Sequence, residues 1–153
     1  MTLSLADFDI YIQGSEAHDV LTGTDAGDLL FGGAGNNTLS GSGDDVLFAH
    51  EGQDHLRGGK SADIFVFTAD GEEDRILGFQ KGQDKIYLGD WGRLYDYSEL
   101  TITTHNQGAR IRWQDGEIQI VNAEGRQIEL SEWDATIFCF DRANSKSNTS
   151  DPI

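Results

Sequence analysis

The sequence is short of cysteine, proline and positive charge, and each shortage excludes something. A single cysteine, Cys139, rules out an internal disulfide framework. It sits in the apolar run Thr136-Ile137-Phe138-Cys139-Phe140, where a buried, unreactive thiol is expected. Lys and Arg number 11 against 27 Asp and Glu, a formal net charge of −16 over 153 residues. Such a balance repels nucleic-acid phosphates and anionic membrane surfaces and favours cations as partners. No apolar run is long enough to span a bilayer, so membrane insertion is not expected. Met1 to Gly14 also lacks the basic and apolar regions of a secretory signal peptide, so export would need a signal elsewhere or a partner domain upstream. Acidic disorder is disfavoured, because eight Phe, four Tyr and three Trp are enough to build a core. What the chain has in excess is glycine: 19 Gly against one Pro imply many tight turns.

Those glycines are periodic. An acidic or amide residue followed two positions later by a large apolar one recurs six times, at Asp19-Val20-Leu21, Asp28-Leu29-Leu30, Asn37-Thr38-Leu39, Asp45-Val46-Leu47, Asp54-His55-Leu56 and Asp63-Ile64-Phe65. The anchors are nine residues apart except for one interval of eight, between Asn37 and Asp45. A period of nine reads as six residues of turn and three of strand, the middle strand residue pointing inward because side chains alternate. Two units then make one coil with a strand on each side. The inward residues are expected to be Leu21, Leu30, Leu39, Leu47, Leu56 and Phe65.

Six apolar side chains make a thin core, so a second stabilising element is required. Units two apart share an edge, which places Asp28, Asp45 and Asp63 along one edge and Asp19, Asn37 and Asp54 along the other. Stacked carboxylates repel by about 1 kcal/mol in water and more in a less polar setting. A hard divalent cation reverses that sign, because Ca²⁺ accepts six to eight oxygens from carboxylates and main-chain carbonyls. The turns offer such carbonyls at Gly23, Asp25, Gly32, Ala34, Gly35, Gly41, Gly43, Gly52, Gly58 and Lys60. Several Ca²⁺ ions are therefore expected. Sites between Asp28 and Asp45 and between Asp45 and Asp63 rank first, and those containing Asn37, one charge short, rank second. His50-Glu51 with His55 is not a zinc-peptidase motif, because the second His falls five residues on and inside a turn-and-strand unit.

These units resemble the nonapeptide G-G-x-G-x-D-x-U-x of the RTX (repeats-in-toxin) family, a Ca²⁺-binding β-helix repeat. The match spans Gly14 to Val66 and is closest at Gly32 and Gly58. Ala17 and Ala26 replace the fourth-position Gly of the first two units, and the fifth begins Ala49-His50. Beyond the repeat, Asp74-Arg75-Ile76-Leu77-Gly78-Phe79 and Lys81-Gly82-Gln83-Asp84-Lys85-Ile86-Tyr87-Leu88 resemble the segment that follows the repeats in serralysin-type metalloproteases and in the R-modules of mannuronan C5-epimerases. That resemblance implies that Asp74, Asp84 and Asp70 join the last Ca²⁺ sites, although Gly78 and Tyr87 stand where the family has aspartates. The alternative is that Asp74 and Asp84 only begin strands and cap turns.

The fold expected is all-β: a right-handed parallel β-roll of about three coils followed by an antiparallel β cap. Residues 1–13 are read as a lead-in strand, 14–66 as the roll, 67–141 as the cap and 142–153 as a disordered polar tail. Within the cap the two segments around Lys81-Gly82 read as a strand pair, and Gln114-Asp115-Gly116-Glu117 as a hairpin turn between alternating segments. Arg126 to Leu130 and Ile137 to Phe140 read as further strands. The cap has the plain task of covering the open strand edges of a solenoid.

No catalytic constellation is evident, and acidic pairs such as Glu72-Glu73 read as solvated charge. The leading expectation is a non-catalytic module that Ca²⁺ folds. Family resemblance adds a bacterial, extracellular home, export through a type I secretion apparatus and attachment to an upstream catalytic domain. A second reading, from the R-modules, is binding of an anionic polysaccharide such as alginate. It would use Trp91, Tyr95, Tyr97, Trp113 and Trp133 with Arg93, Arg110 and Arg112, unless those aromatics fill the cap core. A third is an adhesin segment.

Overall fold

A computed structural model describes residues 4–90, 94 and 96–139 of the chain. The repeat folds as its period predicts. A three-residue strand without an anchor, β1 Tyr11–Gln13, comes first, and the triplets after the first five anchors follow as β2 Val20–Thr22, β3 Leu29–Phe31, β4 Thr38–Ser40, β5 Val46–Phe48 and β6 His55–Arg57. Longer strands follow, β7 Ile64–Thr68, β8 Glu73–Phe79 and β9 Lys85–Asp90. The last four are β10 Thr101–His105, β11 Gly108–Trp113, β12 Gly116–Asn122 and β13 Phe138–Cys139. They form two sheets, one ordered β1-β3-β5-β7-β9-β13 and the other β10-β11-β12-β8-β6-β4-β2. Odd-numbered and even-numbered strands of the roll thus lie on opposite sides of one core.

Register is set by the inward column. Leu30 pairs with Leu47, and Leu47 with Phe65, in one sheet; Leu39 pairs with Leu56 in the other. All five are buried, at 1% exposure or less, and each such burial is worth about 1.5–3 kcal/mol. Leu21 packs on the same core but is only half-buried, because β2 is the terminal strand of its sheet.

The roll does not stop at Val66. β8 pairs parallel with β6 and β9 pairs parallel with β7, so Ile76 and Ile86 extend the two inward columns. Four coils result, β1–β2, β3–β4, β5–β6 and β7–β8, rather than three. The expected strand pair around Lys81-Gly82 is therefore incorrect, since β8 and β9 lie in opposite sheets. The turn between them is another anchored turn, with Asp84 as its anchor, and it crosses the roll instead of reversing in one sheet. The lead-in segment likewise contains the first strand of the roll, β1.

The cap is mixed, not purely antiparallel. β10, β11 and β12 are antiparallel neighbours, joined between β11 and β12 by the expected turn at Gln114-Asp115, where Gln114 has φ 50°. β12 then docks parallel on β8, placing Ile120 beside Ile76, and β13 docks parallel on β9. Arg126 to Leu130 forms no strand. Arg126 instead bridges Glu124 and Glu132, and the chain enters a 3-10 turn at Leu130–Glu132. Trp133 lies buried against Phe79 and Phe138, with ring centroids 6.4 and 5.9 Å apart, and Tyr97 stacks on Phe138. Of the proposed aromatic surface, then, Tyr97, Trp113 and Trp133 pack into or against the core. Trp91, Arg93 and Tyr95 lie outside the described residues, as do Phe140 and the tail from 142.

Candidate functional site

The anchor residues form two continuous ladders, one along each edge of the roll. Apart from Asp74, the second residue of β8, each anchor sits immediately before a strand, so its main chain meets the anchor of the next coil. On the first edge Asp28 N donates to Asp45 Oδ1 at 2.8 Å, Asp45 N to Asp63 Oδ1 at 3.0 Å, and Asp63 N to Asp84 Oδ1 at 3.1 Å. On the second Asp19 N donates to Asn37 Oδ1 at 2.9 Å, Asn37 N to Asp54 Oδ1 at 2.7 Å, and Asp54 N to Asp74 Oδ1 at 2.9 Å. Asp84 and Asp74 are thus the next rungs of the two ladders, not isolated turn caps. Asp70 stands beside the second ladder, accepting from Gly52 N at 2.7 Å.

The second oxygen of each anchor turns back over its own turn. Asp19 Oδ2 accepts from Ser15 N, Asp54 Oδ2 from His50 N and Asp84 Oδ2 from Gln80 N, at 2.6, 3.1 and 2.7 Å. Asp28 Oδ2 likewise accepts from Thr24 N. Asp45 and Asp63 differ: the Oδ2 of each is buried with no hydrogen-bond partner. Glycine is required where these oxygens press on the turn. A Cβ at Gly41 would lie 1.7 Å from Asp45 Oδ2, and one at Gly58 1.9 Å from Asp63 Oδ2.

Electrostatics follow from the burial. Asp28, Asp45, Asp54, Asp63, Asp74 and Asp84 are each 2% exposed or less. Burial, aided by the charges of Asp84, Asp45 and Asp44, pushes Asp63 up to about 8. Burial with Asp54, Asp70 and Glu72 nearby does the same to Asp74, also about 8. Asp45, Asp54 and Asp84 rise to about 6, burial again being the main cause. Asp19, more open at the end of the roll, is lowered by the Ser15 amide and hydroxyl.

The other expected donors lie on the same turns. Gly23, Asp25, Gly41, Gly43, Gly58 and Lys60 are on the first edge, and Gly32, Ala34, Gly35 and Gly52 on the second. The Asp25 and Lys60 side chains point to solvent, leaving only their carbonyls for such a role. Carbonyls do face from turn to turn: Gly35 O approaches Gly52, which has φ 110°, and Ala26 O approaches Gly43. Among the described residues no group of three or more His, Cys, Asp or Glu side chains is arranged to hold a metal. A cation here would be held by one or two carboxylates and by main-chain oxygens, an all-oxygen set that fits Ca²⁺ and not zinc. The orphaned Oδ2 atoms of Asp45 and Asp63 are the atoms such an ion would satisfy.

Sequence reasoning missed an outer rail beside each ladder. Asn36 N donates to His18 Nδ1 at 2.8 Å, Gln53 N to Asn36 Oδ1 at 3.0 Å, and Ala62 N to Asp44 Oδ1 at 3.0 Å. The available signal was a polar residue immediately before the anchor in several units. Of the arginines weighed for a polysaccharide surface, Arg110 and Arg112 lie on the outer face of the second sheet, and Arg75, which sequence reasoning missed, joins them there. Arg75 and Arg110 flank Gln119 in register, Arg112 lies two residues from Arg110 along β11, and the three guanidiniums pair with Glu73 and Glu117.

Comparisons with known proteins agree with this architecture. The chain is similar to the AlgE6R3 subunit of the Azotobacter vinelandii mannuronan C5-epimerase, with 27% identity, a TM-score of 0.55, and coverage of 80% of this chain and 83% of that one. The AlgE6R2 subunit of the same enzyme shares the fold, with a TM-score of 0.68 at 24% identity, over 88% of this chain and 93% of that one. No curated protein matches. The family model for the serralysin C terminal of peptidase M10 matches residues 13–141. This RTX-type β-roll therefore belongs to the peptidase M10 serralysin C-terminal family.

Proposed function

We propose that the chain is a non-catalytic calcium-binding module whose folding is completed by Ca²⁺ in the extracellular medium. The observation that carries this reading is the pair of buried, unpartnered carboxylate oxygens, Asp45 Oδ2 and Asp63 Oδ2, on one ladder. Without a cation, folding must either hold these carboxyls protonated or bury uncompensated charge. Bound Ca²⁺ supplies the missing countercharge, so its binding free energy becomes folding free energy. Affinities on the order of 10⁻⁴–10⁻³ M, typical of extracellular modules, would leave the roll incompletely folded in a calcium-poor cytosol and fully folded outside the cell. That switch suits a bacterial protein threaded through a type I secretion apparatus with an upstream catalytic domain attached, and family membership supports the assignment. Calorimetry with and without chelator tests it. Calcium should raise the melting temperature steeply, and a cooperative transition unchanged by chelation would refute the reading.

A second reading is favoured by one observation. Arg75, Arg110 and Arg112 share an exposed face with Thr101, Thr103 and Gln119, in a chain related to a mannuronan epimerase subunit. An anionic polysaccharide could exchange for Glu73 and Glu117 as the partner of these guanidiniums. Titration with alginate oligomers at low and high salt would detect this, and salt-independent absence of binding would exclude it. The adhesin reading would require calcium-dependent self-association, measurable by sedimentation.

A further inference from the structure

Of the eight anchors on the two ladders, Asn37 is the one that is not an aspartate. Its side chain is buried, 1% exposed, and its orientation is determined by its partners. Oδ1 accepts from Asp19 N at 2.9 Å, while Nδ2 donates to Gly35 O at 3.0 Å, Ala34 O at 3.3 Å and Gly33 O at 3.4 Å. Exchanging the two atoms would set an oxygen against three carbonyl oxygens and an NH₂ against an N–H, so the alternative flip is excluded. The contrast with the first ladder is chemical. A carboxylate oxygen cannot donate, and the corresponding oxygens of Asp45 and Asp63 are buried without a well-formed hydrogen bond, only the Ser42 and Gly43 amides lying near Asp45.

We propose that the turn formed by residues 32–37 is a metal-free rung, in which the Asn37 carboxamide occupies the position a cation would take. Three inward carbonyls that could ligate Ca²⁺ are already engaged by its N–H bonds. A cation entering there would have to displace those bonds and would gain no anionic oxygen from the anchor in return. The rung is therefore satisfied before calcium arrives, and it joins β3 to β4 in the calcium-free chain. Calcium uptake on the second edge is left to the turns with an aspartate anchor, those of Asp19, Asp54 and Asp74. Asn37 thus determines how many ions the roll takes and where. This deepens the calcium reading proposed above and rests on it.

Calcium stoichiometry of the full chain tests the assignment, read by isothermal titration and native mass spectrometry for the wild type and for Asn37→Asp. The substitution should add at least one bound ion per chain and should make the calcium-free form easier to unfold. Equal stoichiometry in the two proteins overturns the proposal. A wild type that binds no calcium overturns the calcium reading instead, which separates the two failures. Should Asn37→Asp not fold, the wild type alone decides by NMR. In calcium-saturated protein the Asn37 side-chain NH₂ should remain hydrogen-bonded to the turn carbonyls and exchange slowly with solvent. Fast exchange of that NH₂, as expected if the carbonyls ligated an ion instead, would overturn the metal-free rung.

Discussion

Asp45 donates its main-chain amide to Asp63 Oδ1 at 3.0 Å, while the other carboxylate oxygen of Asp63 is buried without a partner. One residue thus both locks two coils together and leaves an anionic oxygen unsatisfied. The same arrangement one coil earlier, Asp28 N to Asp45 Oδ1 with Asp45 Oδ2 orphaned, makes the first edge a column of paired and unpaired oxygens. A fold held this way is conditional on a counterion, and four consequences can be measured.

Asp45 lies between two rungs, whereas Asp19 ends its ladder and is partly open to water. Asp45→Ala should weaken calcium affinity by about tenfold or more, because affinity follows the number of anionic ligands. Asp19→Ala should change it by much less. Isothermal titration of the two variants compares them directly, and equal losses would mean that the two edges are equivalent.

The calcium-free fold should lose stability as pH rises. Asp63 and Asp74 sit at about 8 in the fold against 3.8 for an unperturbed group, so the folded state binds protons more tightly than the unfolded one. Their contribution is complete below about pH 4 and disappears as pH passes through about 8, with Asp45, Asp54 and Asp84 adding losses near 6. Urea melts in chelator from pH 5 to 8 should show a falling midpoint. Saturating calcium should flatten the trend, since bound metal holds the carboxylates ionised.

Gly58→Ala tests close approach rather than backbone freedom. Its Cβ would fall 1.9 Å from Asp63 Oδ2 and 2.3 Å from Asp63 Cγ, both fixed in the ladder. Overpacking of this kind costs about 1–3 kcal/mol. Here it should lower calcium affinity too, because the anchor itself must shift. Thermal melts with and without calcium separate the two effects.

Trp133→Ala should remove the plug at the cap end of the roll. Trp133 covers Phe79 and Phe138, and truncating a buried Trp costs about 3–5 kcal/mol. The loss should appear in calcium-saturated protein as well as in chelator, since this ring stack belongs to the apolar core and not to the anchor ladders. A loss confined to the calcium-free state would show that the cap is not part of the same cooperative unit.

Much of this molecule was legible in the order of its residues. A nine-residue period with strand triplets requires that Leu30, Leu39, Leu47, Leu56 and Phe65 share one interior and that the anchors fall on alternate edges. The structure repeats that arrangement in its register. The later strands were legible as strands but not as partners. Alternation says which face of β8 or β12 is apolar, but it is silent on which strand lies beside it. The turn around Lys81-Gly82 therefore read as a reversal, and the parallel docking of β12 on β8, across more than forty residues of chain, left no local trace.

At the anchors the division is finer. Composition and spacing alone determined that acidic side chains stack along two edges and that a cation is their natural partner, because like charges at a repeat distance of one coil must be compensated. Only the tertiary structure decided which oxygens are left over. Asp28, Asp54 and Asp84 accept a well-formed bond on Oδ2 from an amide of their own turn, Asp45 and Asp63 do not, and Asn37 turns an N–H toward carbonyls that its neighbours leave open. Those outcomes depend on how far each turn folds back over its anchor. That is a matter of ångströms between main-chain atoms of successive coils, set by packing rather than by any single residue type.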